Sequence, residues 1–358
     1  MPRMTFPFGP QHPVLPEAIQ LKLTVEDERV VEVLPAIGYM HRGIEKAAEK
    51  NPYINNVFLC ERICGICSFI HGMAYCQTIE EIMEVKVPPR AEYLRVIWSE
   101  LSRLHSHLLW LGLLADSFGF ESLFMQCWRA REIVLDMLEM TTGQRVIQST
   151  CVIGGVRRDI DAEQAARMRE MLKTLKPQID AVIPVFKHDY TIKSRTVGRG
   201  VLPKDQAWKL GAVGPTLRGS GGAWDARLTG YAAYGELGFE PMVETDGDSY
   251  ARTQVRVRET YQAYELVLKA LDRLPEGETK VKVKGFPNGE AAIRVEQPRG
   301  ELFYYALGDG TSHLERLKVR TPTFVNIPAL LTMLPGCEIA DVPVIVLSID
   351  PCMSCTER

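Results

Sequence analysis

The chain has 358 residues, with 42 Lys and Arg against 45 Asp and Glu and a formal net charge of −3. This balance excludes nucleic acid as a partner and leaves no lysine-rich helix for a membrane surface. Prolines interrupt MPRMTFPFGP before a signal-peptide core can form, and Asp116 breaks HLLWLGLLADSFGF well short of the roughly 20 apolar residues of a membrane span.

From the N-terminus, QLKLTVEDERVVEVL (20–34) alternates apolar and polar residues on both sides of an acidic turn, which predicts a β-hairpin. From Pro88 the apolar period becomes helical. Leu94, Ile97, Trp98, Leu101, Leu104, Leu108 and Leu109 recur at steps of three and four, and the prolines at 88 and 89 suit a first turn. A second helix is predicted over about Glu121–Thr142, stopping at Gly143. A third runs over about Asp161–Val185 behind the N-capping pattern DAEQ, and a fourth over Ser249–Leu274, ending before Pro275. Between these last two, GAVGPTLRGSGGAWDARLTGY (211–231) is too glycine-rich for a regular element. KVKVKG (280–285) and EAAIRVEQPRGELFYYALGDG (290–310) alternate with period two and predict a second small sheet. The expected fold is α+β and predominantly α. It is a single domain with a large helical bundle over about 88–275, small sheets near the N-terminus and at about 278–310, and a C-terminal tail, 350–358.

Nine cysteines favour metal ligation or catalysis over disulfides in a reducing compartment. Four form two C-x-x-C pairs, Cys64/Cys67 and Cys352/Cys355; Cys60, Cys76, Cys127, Cys151 and Cys337 read as small buried apolar residues. Gly65 lets the backbone turn between the first two sulfurs, and His71 is either a ligand or an N–H donor to a ligating sulfur. Zinc ribbons separate their pairs by about 15–20 residues. Here almost the whole chain intervenes, so the fold is built around the ion. Spacing leaves structural zinc, an iron–sulfur cluster and a catalytic metal open.

R-x-C-G-x-C-x-x-x-H (Arg62 to His71) with a terminal D-P-C-x-x-C (Asp350 to Cys355) resembles the large subunit of [NiFe] hydrogenases. GYMHRGIEK (38–46), GPTLRGSGGAWDAR (214–227), GDSYAR (247–252) and PRG (298–300) are similar to its membrane-bound, energy-converting branch (group 4), which shares these segments with the quinone-site subunit of respiratory complex I. The length resembles an Ech or CO-induced type. The resemblance implies nickel held by all four thiolates, with Cys64 and Cys352 terminal and Cys67 and Cys355 bridging to an iron that carries CO and cyanide, Ni–Fe(CN)2(CO). It implies that Arg299 stands over the open metal position with Asp350 beside it, and that Glu17 takes the first proton from a terminal cysteine. His12 matches the quinone-facing histidine of complex I and is assigned here to the proton path. Glu45 would bind a second metal, Mg2+ or Fe2+. Ser106, between His105 and His107, stands where uptake enzymes have an acid, and Thr356-Glu357-Arg358 replaces their terminal histidine. Arg358 is then the edge of precursor processing.

The function so implied is the catalytic subunit of a ferredoxin-linked hydrogenase, reversibly reducing protons to H2 with coupled ion translocation. No cluster motif remains in the chain. The partners implied are therefore a small subunit with a [4Fe-4S] cluster, a ferredoxin-like cluster subunit and antiporter-like integral membrane subunits. They would hold the chain peripherally on the cytoplasmic side of the membrane. The alternatives are a non-catalytic, complex I-like quinone-site subunit, against which the four cysteines argue because that family lacks them, and a structural metal-binding protein.

Overall fold

The computed structural model describes residues 3–15 and 17–358. Strands β1 (Met4–Phe8), β2 (Gln20–Glu26) and β3 (Arg29–Ala36) form an antiparallel sheet in that order. The predicted hairpin is therefore present, turned by Asp27 and Glu28 at φ 50° and 62°, and gains a third strand. Alternation buries Leu21, Leu23 and Val30 against a core that also holds Leu330, Met333, Ile345, Val346 and, from the C-terminal tail, Met353.

Helices α1 (Ile44–Lys50), α2 (Asn56–Glu61) and α3 (Ser68–Ile82) follow, and then α4 (Pro89–Ser117) and α5 (Glu121–Thr142), which pack on each other. Pro89 opens α4, and Gly143 (φ 81°) ends α5 in a left-handed cap whose N–H donates to the Glu139 carbonyl at 2.8 Å. The predicted stripe understates α4. Its apolar residues are buried, but so are Arg95, Glu100, Arg103, His105, Ser106 and His107, because neighbours cover it on every side. Two-residue strands β4 (Cys151–Val152) and β5 (Gly155–Val156) precede α6 (Ala162–His188), which starts with a capping box between Asp161 and Gln164. It runs three residues past the predicted end, until Asp189 caps α7 (Tyr190–Thr196).

The glycine-rich segment is more regular than expected. After α8 (Lys204–Lys209) it contains α9 (Gly214–Arg218), with Pro215 in its first turn, and then the single 3-10 turn Ala226–Thr229 before α10 (Tyr234–Leu237). Helix α11 (Ser249–Asp272) is capped by Asp248, which accepts from the Ala251 N–H at 2.7 Å.

The second sheet corrects the sequence reading. Its strands are β6 (Asn288–Gln297), β7 (Gly300–Asp309) and β8 (Leu314–Arg320), and KVKVKG is not among them. Val281 instead donates to the Gly154 carbonyl (2.9 Å), and Val156 donates to Thr279 (2.8 Å). Gly155 permits this approach, since a Cβ there would lie 2.2 Å from the Thr279 oxygen. Period-two alternation showed a pattern but not a covering layer, and Val281 remains exposed. The chain closes with α12 (Pro322–Met333), α13 (Val342–Ser348) and α14 (Met353–Thr356).

A buried network of charge ties these layers together. Arg218 pairs with Glu259 on α11 (2.8 Å), Glu296 on β6 (2.8 Å) and Asp225 (3.1 Å). Asp225 also holds Arg227 (2.8 Å), which reaches Glu100 on α4 (3.3 Å), itself paired with Arg103 (3.1 Å). Desolvating such ions is tolerable only while each retains its partners. We therefore expect Arg218→Met, which takes one guanidinium partner from three buried carboxylates, to destabilise the fold by about 3–5 kcal/mol in denaturant unfolding. Arg145→Ala, which removes an exposed cluster with Glu132, Asp136 and Glu139, should cost under about 1 kcal/mol.

Candidate metal centre

Helix α2 ends at Glu61 and Cys67 is the N-cap of α3, so Cys64 lies in the short loop between two helices. Gly65 does not adopt a left-handed φ; a Cβ there would touch only the Val146 side chain, at 3.4 Å. At the other end of the chain Asp350 takes φ 55°, and Cys352 caps α14. The two loops meet. Cys64 and Cys352 sulfurs are 3.4 Å apart, Cys67 and Cys355 sulfurs 3.6 Å, and those of Cys64, Cys67 and Cys355 lie within 4.8 Å of one another. All four are buried free thiols.

The tail is fixed by specific bonds. Thr323 Oγ1 accepts from the Cys352 N–H (3.1 Å), and the Thr321 hydroxyl donates to the Cys355 carbonyl (3.0 Å). Arg42 staples both loops, with Nη1 donating to the Arg62 carbonyl (2.9 Å) and Nη2 to those of Ile63 (2.7 Å) and Ser354 (3.3 Å). Met40 N–H donates to the Glu357 carboxylate at 2.5 Å. Sequence reasoning missed these partners, although Arg42 and Met40 lie inside GYMHRGIEK.

Arg299 occupies the two-residue turn between β6 and β7. Gly300 (φ 134°) lets that turn lie on the start of α9, where a Cβ on Gly214 would come within 2.3 Å of the Arg299 carbonyl oxygen. The PRG and GP motifs are thus one backbone-to-backbone contact. Asp350 holds the guanidinium through its carboxylate (2.9 Å) and its carbonyl (3.0 Å), leaving Nη1 buried with no partner among the described residues. Burial alone would lower its pKa, but Asp350 and then the sulfurs of Cys352, Cys64 and Cys67 hold it well above the usual value.

His71 Nε2 stands 3.4 Å from Cys355 Sγ, and Nδ1 is 2.8 Å from the Tyr304 hydroxyl. Burial pushes the imidazole down to about 4, so it is neutral. With Tyr304 donating to Nδ1, Nε2–H donates to the sulfur. Hydrogen bonds from Cys352, Cys355 and Cys67 hold Cys64 well below the ordinary thiol range, whereas burial raises Cys67 and Cys355. Burial of the four sulfurs opposes their ionising together until a cation compensates the charge. The set suits a soft metal. A closed structural zinc site has no use for the unpartnered guanidinium beside it. The remaining cysteines behave as expected of inert ones: Cys60, Cys76, Cys127 and Cys151 are buried and Cys337 is half-buried, all with thiols raised by burial.

Other candidates are placed differently. Glu17 accepts from Ser354 at both the N–H (2.7 Å) and the hydroxyl (2.6 Å), so it bonds the residue that lies between the two tail cysteines in sequence. His12 has local contacts: its ring lies 4.2 Å from that of Phe8, and Nδ1 accepts from the Val14 N–H (3.3 Å). Ser106 Oγ is buried without a partner. Its neighbours His105 and His107 bond the Ile66 carbonyl (2.9 Å) and Glu259 (2.9 Å). Glu45 does not fit a second metal. Its carboxylate is taken up by Arg358 (3.1 Å), Lys318 (3.2 Å), Arg316 (3.5 Å) and the Val319 N–H (3.0 Å). A hard dication needs a shell of oxygens, and cations surround this carboxylate instead.

With this geometry established, the relatives are informative. A family model described as the respiratory-chain NADH dehydrogenase 49 kDa subunit matches residues 117–286 and 281–358, and one described as nickel-dependent hydrogenase matches 42–115. The carbon monoxide-induced hydrogenase of Rhodospirillum rubrum is 42% identical over 361 aligned positions, covering 100% of both chains. The membrane-bound hydrogenase subunit alpha of Pyrococcus furiosus is 41% identical, covering 98% of this chain and 87% of its own. The NADH-quinone oxidoreductase subunit 4 of Thermus thermophilus is 36% identical, covering 99% and 94%. The chain belongs to the family of membrane-bound [NiFe] hydrogenase large subunits that is homologous to the 49 kDa subunit of respiratory complex I.

Proposed function

We propose that the chain is the H2-converting subunit of a multisubunit, membrane-bound hydrogenase, reducing protons reversibly with electrons from ferredoxin. The observation that carries this reading is the convergence of four buried thiols beside a buried, incompletely bonded guanidinium. The names of the two hydrogenase relatives support it. Among the described residues no helix is long and apolar enough to cross a membrane. In this reading attachment, on the cytoplasmic side, comes from antiporter-like membrane subunits. Electrons pass through a small subunit bearing a [4Fe-4S] cluster and a ferredoxin-like subunit, and ion translocation is coupled through the membrane partners.

Cys64, Cys67, Cys352 and Cys355 would hold a nickel–iron group, with CO and cyanide on iron, which supplies the redox chemistry of splitting and forming H2. The chain's own residues prepare the pocket. Burial of the sulfurs excludes water, which strengthens every charge interaction there. Asp350 fixes the plane of Arg299, so that Nη1 is offered in one direction without rearrangement. The neutral His71 donates to the Cys355 sulfur and withdraws charge from it. Glu17 receives the proton at a carboxylate oxygen 2.6–2.7 Å from Ser354, the residue through which the tail turn meets the N-terminal segment.

Metal analysis with infrared spectroscopy of the purified complex tests the reading: nickel with CO and cyanide stretches is expected. Zinc without those bands would sink it, and no transition metal at all would favour the quinone-site alternative. Arg299→Lys should lower H2 evolution by about 100-fold with nickel retained, because an ammonium cannot reproduce the planar fork. Glu17→Gln should slow H/D exchange by about 100-fold at unchanged nickel content; unaltered exchange removes Glu17 from the path.

A further inference from the structure

Glu61 has no part in the chemistry described so far. It is fully buried at the end of α2, three residues before Cys64. Its Oε2 accepts from the Ser149 hydroxyl at 2.5 Å, while Oε1 is buried with no partner among the described residues. Ser149 is held at φ 50°, a conformation that a non-glycine residue rarely adopts. It lines an open cleft of about 740 Å³ with Arg62, Gln144, Gln148 and Arg157. On the inner side, Glu61 is pressed against Gly72, where a Cβ would fall 2.7 Å from Oε1. Ser68, four residues earlier and thus on the same face of α3, donates to Gln148 at 2.9 Å and directly follows Cys67. Gln148 Nε2 is also buried and unpartnered. The carboxyl therefore lies between Ser149, at the cleft, and Gly72, one turn after Ser68 on the helix that Cys67 caps.

We infer that Glu61, with Ser149 as its contact at the cleft, carries protons between the cleft and the thiol pocket, a route separate from Glu17. This inference rests on the hydrogenase reading. A proton arriving at Ser149 Oγ displaces the hydroxyl proton onto Glu61 Oε2; rotation of the carboxylic acid about its Cγ–Cδ bond turns that O–H to the inner position that Oε1 held, from which the proton passes to a thiolate of the pocket. The return step restores the carboxylate, so protons balance without an oxidant or reductant. A purely structural carboxyl would not leave one oxygen desolvated and unbonded where an amide would serve.

The surroundings set the working range. Burial pushes Glu61 up to about 7, against the Ser149 bond and the charges of Arg157 and Arg62. The other titratable neighbours, Cys60, Cys76 and Cys151, are thiols that burial keeps protonated. Glu61 is thus an acid below about 7 and a carboxylate above it, which suits transfer in either direction near neutrality.

The test uses the purified complex. Infrared difference titration should show a protonated carboxyl band that disappears as pH rises through neutrality and is missing in Glu61→Gln. That variant should keep nickel and the CO and cyanide bands, lose at least about tenfold in H/D exchange, and lose the inflection near neutrality in its pH profile. Glu61→Asp should recover part of the rate, and Ser149→Ala should show an intermediate loss. Exchange within about twofold of wild type with an unchanged pH profile overturns the relay alone. If Glu61→Gln does not assemble, Ser149→Ala decides, and an unaltered rate and profile there overturn it. A wild-type complex without nickel overturns the hydrogenase reading, and this inference with it.

Discussion

Everything in this molecule answers to one demand, that thiols 288 positions apart in the chain lie within 3.4–3.6 Å of each other in a dry pocket. A short terminal segment has too few contacts to hold itself there. It is retained by a division of labour. Met353 enters the core beneath the N-terminal sheet, two threonines flanking Pro322 bond the cysteine backbones, and Arg42 joins the two loops through three carbonyls. The N-terminal sheet and α12 are the floor on which the tail rests. The helical layers on the other side hold α3, and with it Cys67 and His71.

The second theme is charge held out of water. A pocket of thiolates is anionic even with a dication bound, and the fold surrounds it with buried guanidinium groups. Arg299 faces the sulfurs. Behind it Arg256 stacks on Trp110 at 4.2 Å and feels both Asp350 and Glu259, while its own burial and its neighbour Arg299 lower it to about 10. Arg256 therefore links the metal pocket to the Arg218 network. Within that network Glu296 is raised to about 7, chiefly by burial and then by Asp225. Arg299 is the member of this set that faces the sulfurs, and the hydrogen bonds of the rest fix the positions of α4, α9, α11 and β6.

What could be read from the linear chain follows from how local each signal is. Helix starts and stops were legible because caps act within one turn: Asp161 with Gln164, Gly143 after α5. The cysteine pairs were legible because coordination demands fixed spacing, although spacing alone left the metal's identity open. The glycine-rich stretch and the β6–β7 turn were recognisable as motifs, but their mutual contact was not. Strand β8, LERLKVR, was missed because charged residues interrupt its alternation, while KVKVKG alternates well and has nothing to cover it. Glu45 shows the limit most clearly. Nothing near it in sequence announces that Arg316, Lys318 and Arg358 will converge on its carboxylate. Thr321, Thr323 and Tyr304 are in the same position, since each acts through a contact with a residue remote in the chain.

The attachment of Arg358 to Glu45, with its guanidinium 5.3 Å from the Phe324 ring, has a kinetic meaning. Residues 350–358 form one wall of the pocket. An ion held by all four sulfurs can leave, or be replaced, only in conformations where this segment has peeled back. The residence time of an ion bound there would then follow local opening of residues 350–358 rather than unfolding of the whole chain. Each terminal contact, though far from the sulfurs, would act as a bolt against that opening.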